Sequence, residues 1–382
     1  MNNLKKKKYT INDIENIYKE FEQIEKKINK VNEEIKNKED DIFKKNILKK
    51  QITFIDLFCG IGGFHKGLSN YYCVMACDIN KFCIDIYEKN YKIKPYGDIF
   101  NLKEKNIPDH DIICAGFPCQ PFSSAGKKLG MNDDRSKVYD KLLSIIKYKK
   151  PKIFLLENVK NLTIIDNGEV IKKIISDLTN LGYNVSYSIL NTYNFGLPQN
   201  RERLFIIGTN NDFFPKKIFS FDKLNQNKDN ISLKKFLKIN SNNNYKDEYI
   251  NNNDYIIIDK KYQIRQKSGL VFCGYIKGNI RKTGVLPNTL HLSRVHKQPN
   301  RIYHIDGVNP TLSSSESSGR YYIYDNIGVR KLSIIECYDI MGFNNFIMHT
   351  NKIISYKQIG NSVSPVIITY IRNELIRQNF LY

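Results

Sequence analysis

Apolar side chains recur at Ile14, Ile17, Phe21, Ile24, Ile28, Val31 and Ile35, in alternating steps of three and four. That is a heptad seam on a long, otherwise charged helix. It suits a two-stranded coiled coil, a helical hairpin or an amphipathic helix lying on a larger domain. From Lys50 the pattern changes to short apolar runs punctuated by glycine, proline and asparagine. Ile52 to Phe58 reads as a buried strand, followed by a turn at Gly60, Gly62 and Gly63 and the start of a helix. A second strand ends in VMACDIN, the GDIF segment marks another strand edge, and DIICAG (Asp111 to Gly116) is a further buried strand. Val138 to Lys149 reads as a helix, PKIFLLENV as a strand ending at Glu157, and Glu169 to Leu181 as a helix; VSYSILNTYNFG and RLFIIGTN give two more strands. Strands alternating with helices predict an α/β fold on a doubly wound, mostly parallel sheet. Ligands of such sheets gather at the carboxyl ends of the strands, where Asp78, Asp98, Cys119 and Glu157 all fall.

After Asn210 the character shifts to short strands and turns, with an Asn- and Lys-rich stretch from Leu224 to Asp254. A smaller, loop-rich second domain is expected there. RKLSIIECYDIMGF then reads as a short helix, and YKQIGNSVSPVIITYIRNELI as a turn and a C-terminal helix. The expected division is a charged helix over 1–50, an α/β part over 51–215, a smaller loop-rich part over 216–345, and a C-terminal segment over 346–382.

Composition adds a partner. The 382 residues carry 60 Lys and Arg against 39 Asp and Glu, a net charge of +21. Nucleic acid is the expected polyanion, because neutralised phosphates release counterions. Arg294, Arg301 and Arg320 stand among tyrosines, phenylalanines, serines and threonines, a mixture suited to phosphates and base edges. The N-terminus does not resemble a secretory leader and no run of 18 apolar residues occurs, so a soluble protein of the cytoplasm is expected. The eight cysteines lack CxxC pairs or Cys/His ligand spacing, so neither disulfides nor a metal site are expected.

One cysteine stands apart. Cys119 lies between two prolines in GFPCQPFS, just past a buried strand, where a stiff loop can present a thiol for attack. The strand, glycine turn and helix around Gly60 and Gly62 suit a nucleotide-type ligand, and Asp78, about 20 residues on, is placed for ribose hydroxyls.

The order DLFCGIGGF, GFPCQPFS, ENV, QNRER and GNSV, with a variable segment before RKLSIIECYDIMGF, resembles the DNA (cytosine-5) methyltransferases from about Gln51 to the C-terminus. The resemblance implies sequence-specific methylation of cytosine in double-stranded DNA, with S-adenosylmethionine as methyl donor. Cys119 would be the nucleophile, Glu157 the acid that engages the ring N3 and exocyclic amine, and Arg201 with Arg203 the pair that holds the base O2, the nucleophile loop or a phosphate. Phe58, Gly60, Gly62, Asp78, Ile79, Asp98, Ile99, Pro118, Asn361 and Ser362 would form the cofactor site. Gln120, Ser123, Thr311 and Ser313 would join the three arginines on DNA.

Two positions depart from the family pattern: Ile79 replaces an adenine-stacking aromatic, and Ala125 stands where a serine is frequent. The implied setting is the modification half of a restriction-modification system, with a cognate endonuclease acting on the same site without contact. A monomer, or a weak dimer through the N-terminal helix, is expected. Among alternatives, a tRNA cytosine methyltransferase has a shorter recognition segment. A silent scaffold has no need of Cys119, Glu157 and Arg203 together, and an NAD-dependent oxidoreductase would require the GxGxxG that is absent.

Overall fold

The run TFIDL is apolar on both faces, as a central parallel strand requires. In the computed structural model, which describes residues 51–118, 136–224, 231–237, 249–278 and 288–382 and scattered positions between 23 and 33, this run is β1 (Thr53–Leu57). It is followed by α1 (Gly63–Gly67), β2 (Tyr72–Cys77), α2 (Lys81–Tyr91), β3 (Ile112–Ala115), α3 (Ser136–Lys149), β4 (Ile153–Val159) and α4 (Glu169–Asn180). Then come β5 (Tyr183–Asn191), the two-residue β6 (Gln199–Asn200) and β7 (Glu202–Asn210). The six-stranded sheet has the order β2-β1-β3-β4-β7-β5. Only β7 runs against its neighbours; the other five strands share one direction. The ten-residue link from β5 to β7 is too short for a crossover, so β7 returns antiparallel and inserts beside β4.

Alternation sorts the core. Phe54, Cys114 and Leu155 face one side of the sheet, against Ile367, Ile368 and Ile371. Ile55, Ile113 and Leu156 face the other, against Leu142, Ile145 and Ile174 of α3 and α4. The three isoleucines belong to the C-terminal helix α7 (Pro365–Arg377), which follows α5 (Ile334–Asp339) and α6 (Lys352–Asn361). The C-terminal helix thus packs on the first sheet.

A second sheet, of order β13-β12-β10-β9-β8, is built from β8 (Tyr255–Ile257), β9 (Phe272–Ile276), β10 (Arg301–His304), β12 (Tyr322–Tyr324) and β13 (Val329–Lys331). The short β11 (Asn309–Pro310) leaves it to pair in parallel with β6.

Two local expectations change. GDIF is not a regular strand: Tyr96 makes a single bridge to Cys77, and Asp98 caps the 3-10 turn Ile99–Asn101 by accepting from Phe100 N at 3.0 Å. YKQIGN is helix rather than turn. Asn351 caps α6 by accepting from Ile353 N and Ile354 N, and the helix runs to Asn361, shortly before Pro365 starts the next. Gly360 stands inside α6 because a Cβ there would lie 2.5 Å from Ser314 N.

Residues 52–382 form one compact unit and the N-terminal residues another. Of the heptad seam only Ile24 and Val31 are described; both are helical and 53% exposed, and the other seam positions lie outside the described residues.

Candidate active site

Glu157 lies near the end of β4, opposite Phe205 of β7. Arg203, two residues before Phe205, therefore shares its face and meets it diagonally. Arg203 Nε stands 3.2 Å from Glu157 Oε1, and both side chains are largely buried. Burial pushes the Glu157 carboxyl above the usual range, while Arg203 and then Arg201 pull in the opposite direction. The next residue, Asn158, is buried and donates from Nδ2 to the Phe117 carbonyl at 2.9 Å. A Cβ at Gly116 would stand 3.7 Å from Glu157 Oε2. The backbone leading to Cys119 is thus tied beside the acid. Cys119, Gln120 and Ser123 themselves lie outside the described residues; Pro118, just before them, lines the cavity.

That cavity measures about 880 Å³. On one side stand Phe58, Gly60, Asp78, Ile79, Asn80 and Asn361. Phe58 has a positive φ of 55°, an uncommon conformation for a residue with a side chain, and it carries the chain from β1 into the glycine turn. Asp78 Oδ2 accepts from Gly60 N and Oδ1 from Asn80 N, each at 2.8 Å. Its lone pairs are not exhausted, so it can still accept from hydroxyl groups. Ile79 is 73% exposed on the cavity wall, an apolar platform open to a flat ring. These residues fit a nucleoside-type ligand.

Other expected cofactor residues stand elsewhere. Gly62 is behind the turn, where Tyr91 donates to its carbonyl at 2.7 Å. Asp98 and Ile99 are used in their 3-10 turn, and Ser362 is buried; none of these four lines the cavity.

Arg201 is turned inward. Its Nη1 donates to Leu312 O at 2.9 Å, and Nη2 to Gly360 O at 3.0 Å and Ser362 O at 2.7 Å. It does not line the cavity, unlike Arg203. Around it Thr311 Oγ1 donates to Asn200 O at 2.7 Å, and Leu312 N to Gln199 Oε1 at 3.3 Å. The strap Thr311–Ser315 is thereby held on β6, and it forms a wall of the cavity. Ser313, Arg301 and Arg320 share that wall; Arg294 is exposed and outside it.

Residues 52–377, which hold the Glu157–Arg203 pair, Asp78 and the second sheet, match one family profile, described as C-5 cytosine-specific DNA methylase. The chain belongs to this family. It is a DNA cytosine-5-methyltransferase. It is 34% identical over 340 residues to the Type II methyltransferase M.HhaI of Haemophilus parahaemolyticus, covering 85% of this chain and 95% of that one. To the Type II methyltransferase M1.ScrFI of Lactococcus lactis subsp. cremoris it is 35% identical, covering 84% and 77% respectively. Entamoeba histolytica methyltransferase EhMeth superposes with a TM-score of 0.62 at 21% identity, over 86% of this chain and 99% of that one, a likeness of fold.

Several residues of the methyltransferase escaped the sequence. Asp56 is fully buried in β1, and its only signal was an acid inside an apolar run. Asn158 was visible in ENV as Glu157's neighbour, without anything to say that it ties the cysteine loop. Gln199 and Gly360 serve the strap, which no local pattern announces. Among the described residues no group of three or more His, Cys, Asp or Glu is placed to hold a metal, and no helix is long and apolar enough to cross a membrane.

Proposed function

We propose that this enzyme methylates carbon 5 of a cytosine within a specific sequence of double-stranded DNA, using Cys119 as nucleophile and S-adenosylmethionine as donor. The observation that carries this reading is the tie between the backbone leading to Cys119 and the Glu157–Arg203 pair, through Gly116, Phe117 and Asn158.

Carbon 5 of cytosine is a weak nucleophile. Addition of the Cys119 thiolate at carbon 6 makes the ring enamine-like, a covalent route that divides one difficult step into two; once carbon 5 carries the methyl group, loss of its proton to a base or water re-forms the 5,6 double bond, breaks the carbon–sulfur bond and restores the thiolate. As negative charge builds on the ring, Glu157 gives its proton to N3; burial keeps that proton available. Arg203 orients the carboxyl. S-adenosylmethionine, when bound, supplies an electrophilic methyl group. Asp78 would hold its ribose, Ile79 its adenine and Asn361 the far side of its pocket. A base inside a duplex hides its face, so the target is turned out of the stack into the cavity. Arg294, Arg301, Thr311, Ser313 and Arg320 grip DNA, together with Gln120 and Ser123. The relatives' Type II names support a bacterial cytoplasmic modification enzyme paired with an endonuclease that reads the same site.

The test is transfer of labelled methyl from S-adenosylmethionine by the full chain. Duplex DNA is expected to be labelled and tRNA not, with Cys119→Ser at background. Label on tRNA alone would replace the DNA reading. Glu157→Gln should lower kcat by about a hundredfold or more. In the wild type the proton that Glu157 donates is lost as pH rises through its raised pKa, so activity falls on that alkaline limb. In Glu157→Gln the limb should vanish from the residual rate.

A further inference from the structure

The strap's wall of the cavity holds a guanidinium whose charge is already matched. Arg320 Nε and Nη2 both reach Glu316 Oε2, at 3.1 and 2.9 Å. Glu316 Oε1 accepts from the backbone N–H groups of Ser318 at 3.0 Å and Arg320 at 3.4 Å. The carboxylate side chain is 8% exposed and the arginine 45%. Glu316 is therefore a buried, fully engaged anchor, and Arg320 emerges from it onto the cavity wall beside Ser315 and Tyr322.

This grip uses the Nε/Nη2 side of the guanidinium. Both N–H groups of Nη1 and one of Nη2 make no hydrogen bond among the described residues. We propose that Arg320 is a specificity-determining residue that donates this remaining pair to the O6 and N7 acceptors of a guanine in the recognised sequence, with Glu316 as its positioning residue. The inference rests on the duplex-DNA function proposed above.

Two physical reasons favour a base edge over a phosphate. A phosphate contact draws its strength from net positive charge and counterion release, and Glu316 cancels that charge at close range. A guanine contact instead needs two parallel donors in a fixed plane, which a bidentate arginine provides. Holding the guanidinium in place beforehand removes the rotamer freedom that binding would otherwise have to freeze. Arg301, on the same wall, makes the contrast: its Nε and Nη2 donate to the His296 carbonyl at 3.1 and 2.9 Å, an uncharged partner that leaves its charge intact for the backbone.

The full chain and S-adenosylmethionine would be given a duplex library randomised around a cytosine, and the methylated products sequenced. The wild type should require guanine at one position or more. Arg320→Ala should accept other bases at one such position, with discrimination there falling about ten- to a hundredfold. Glu316→Gln should relax the same position and steepen the loss of DNA binding with salt, since the guanidinium regains its charge. A uniform slowing of all sequences by Arg320→Ala, with preference unchanged and a shallower salt slope, would mark a phosphate contact and overturn the proposal. So would an unaltered Arg320→Ala. Should that variant fail to fold, as thermal unfolding would show, Arg320→Lys and Glu316→Gln decide: relaxation at the guanine supports the assignment, and unchanged preference overturns it. A wild type that methylates no duplex overturns the underlying function first, before any variant is compared.

Discussion

Asp56 occupies the middle of β1 with no exposed surface, and its Oδ1 has no hydrogen-bond partner. Burial drives its pKa well above the carboxylate range, against a backbone hydrogen bond from His65 and a weak one from the Tyr87 hydroxyl at 3.5 Å. Its folded pKa is raised, so the folded chain holds a proton that the unfolded chain releases. Stability from this group is complete below its unfolded pKa and is lost as pH rises through the folded value. Asp56→Asn mimics the protonated acid in shape, so it should unfold within about 1 kcal/mol of wild type under mild acid. It should become progressively the more stable of the two as pH increases, measured by denaturant unfolding across pH 5 to 9. Glu157 is raised for the same reason but lines the cavity, where Arg203 and then Arg201 oppose the shift. The sequence distinguished the two only through the ENV motif, because an acid in an apolar run gives no sign of how deeply the strand is buried.

Between elements, Arg201 closes three distant segments onto one side chain: β6 with its flank, the strap after β11, and the end of α6. Both cavity walls depend on this, since the strap brings Ser313 and α6 brings Asn361. QNRER announces two arginines at alternate positions, and alternation alone puts both on one face. Arg201 is drawn inward by partners more than a hundred residues away, whereas Arg203 meets Glu157 of the adjacent strand. Lysine keeps the charge but lacks the fork, so Arg201→Lys should orphan at least one carbonyl and cost about 1–3 kcal/mol of stability. It should also raise KM for both DNA and S-adenosylmethionine while kcat falls. Loss of active fraction with both KM values unchanged, measured by steady-state kinetics beside thermal unfolding, would limit Arg201 to folding.

At the scale of the whole molecule, the net charge of +21 belongs to a chain whose compact unit begins at Ile52. In the segment before it, Ile24 and Val31 are half exposed and one heptad apart. Deleting residues 1–48 should leave the methylated sequence unchanged and alter stability or association, read by library sequencing and sedimentation. A changed sequence preference in the truncated enzyme would contradict this. Local structure was legible from the chain alone: the strand and helix periods, the glycine turn and the place of the ENV acid near a strand end are written in neighbouring residues, where backbone geometry acts directly. What only the tertiary structure decided is which groups meet. The pairing of Glu157 with Arg203, the inward turn of Arg201, the complete burial of Asp56 and the anchoring of Arg320 by Glu316 depend on desolvation and on partners brought together by folding. Periodicity along a chain carries neither.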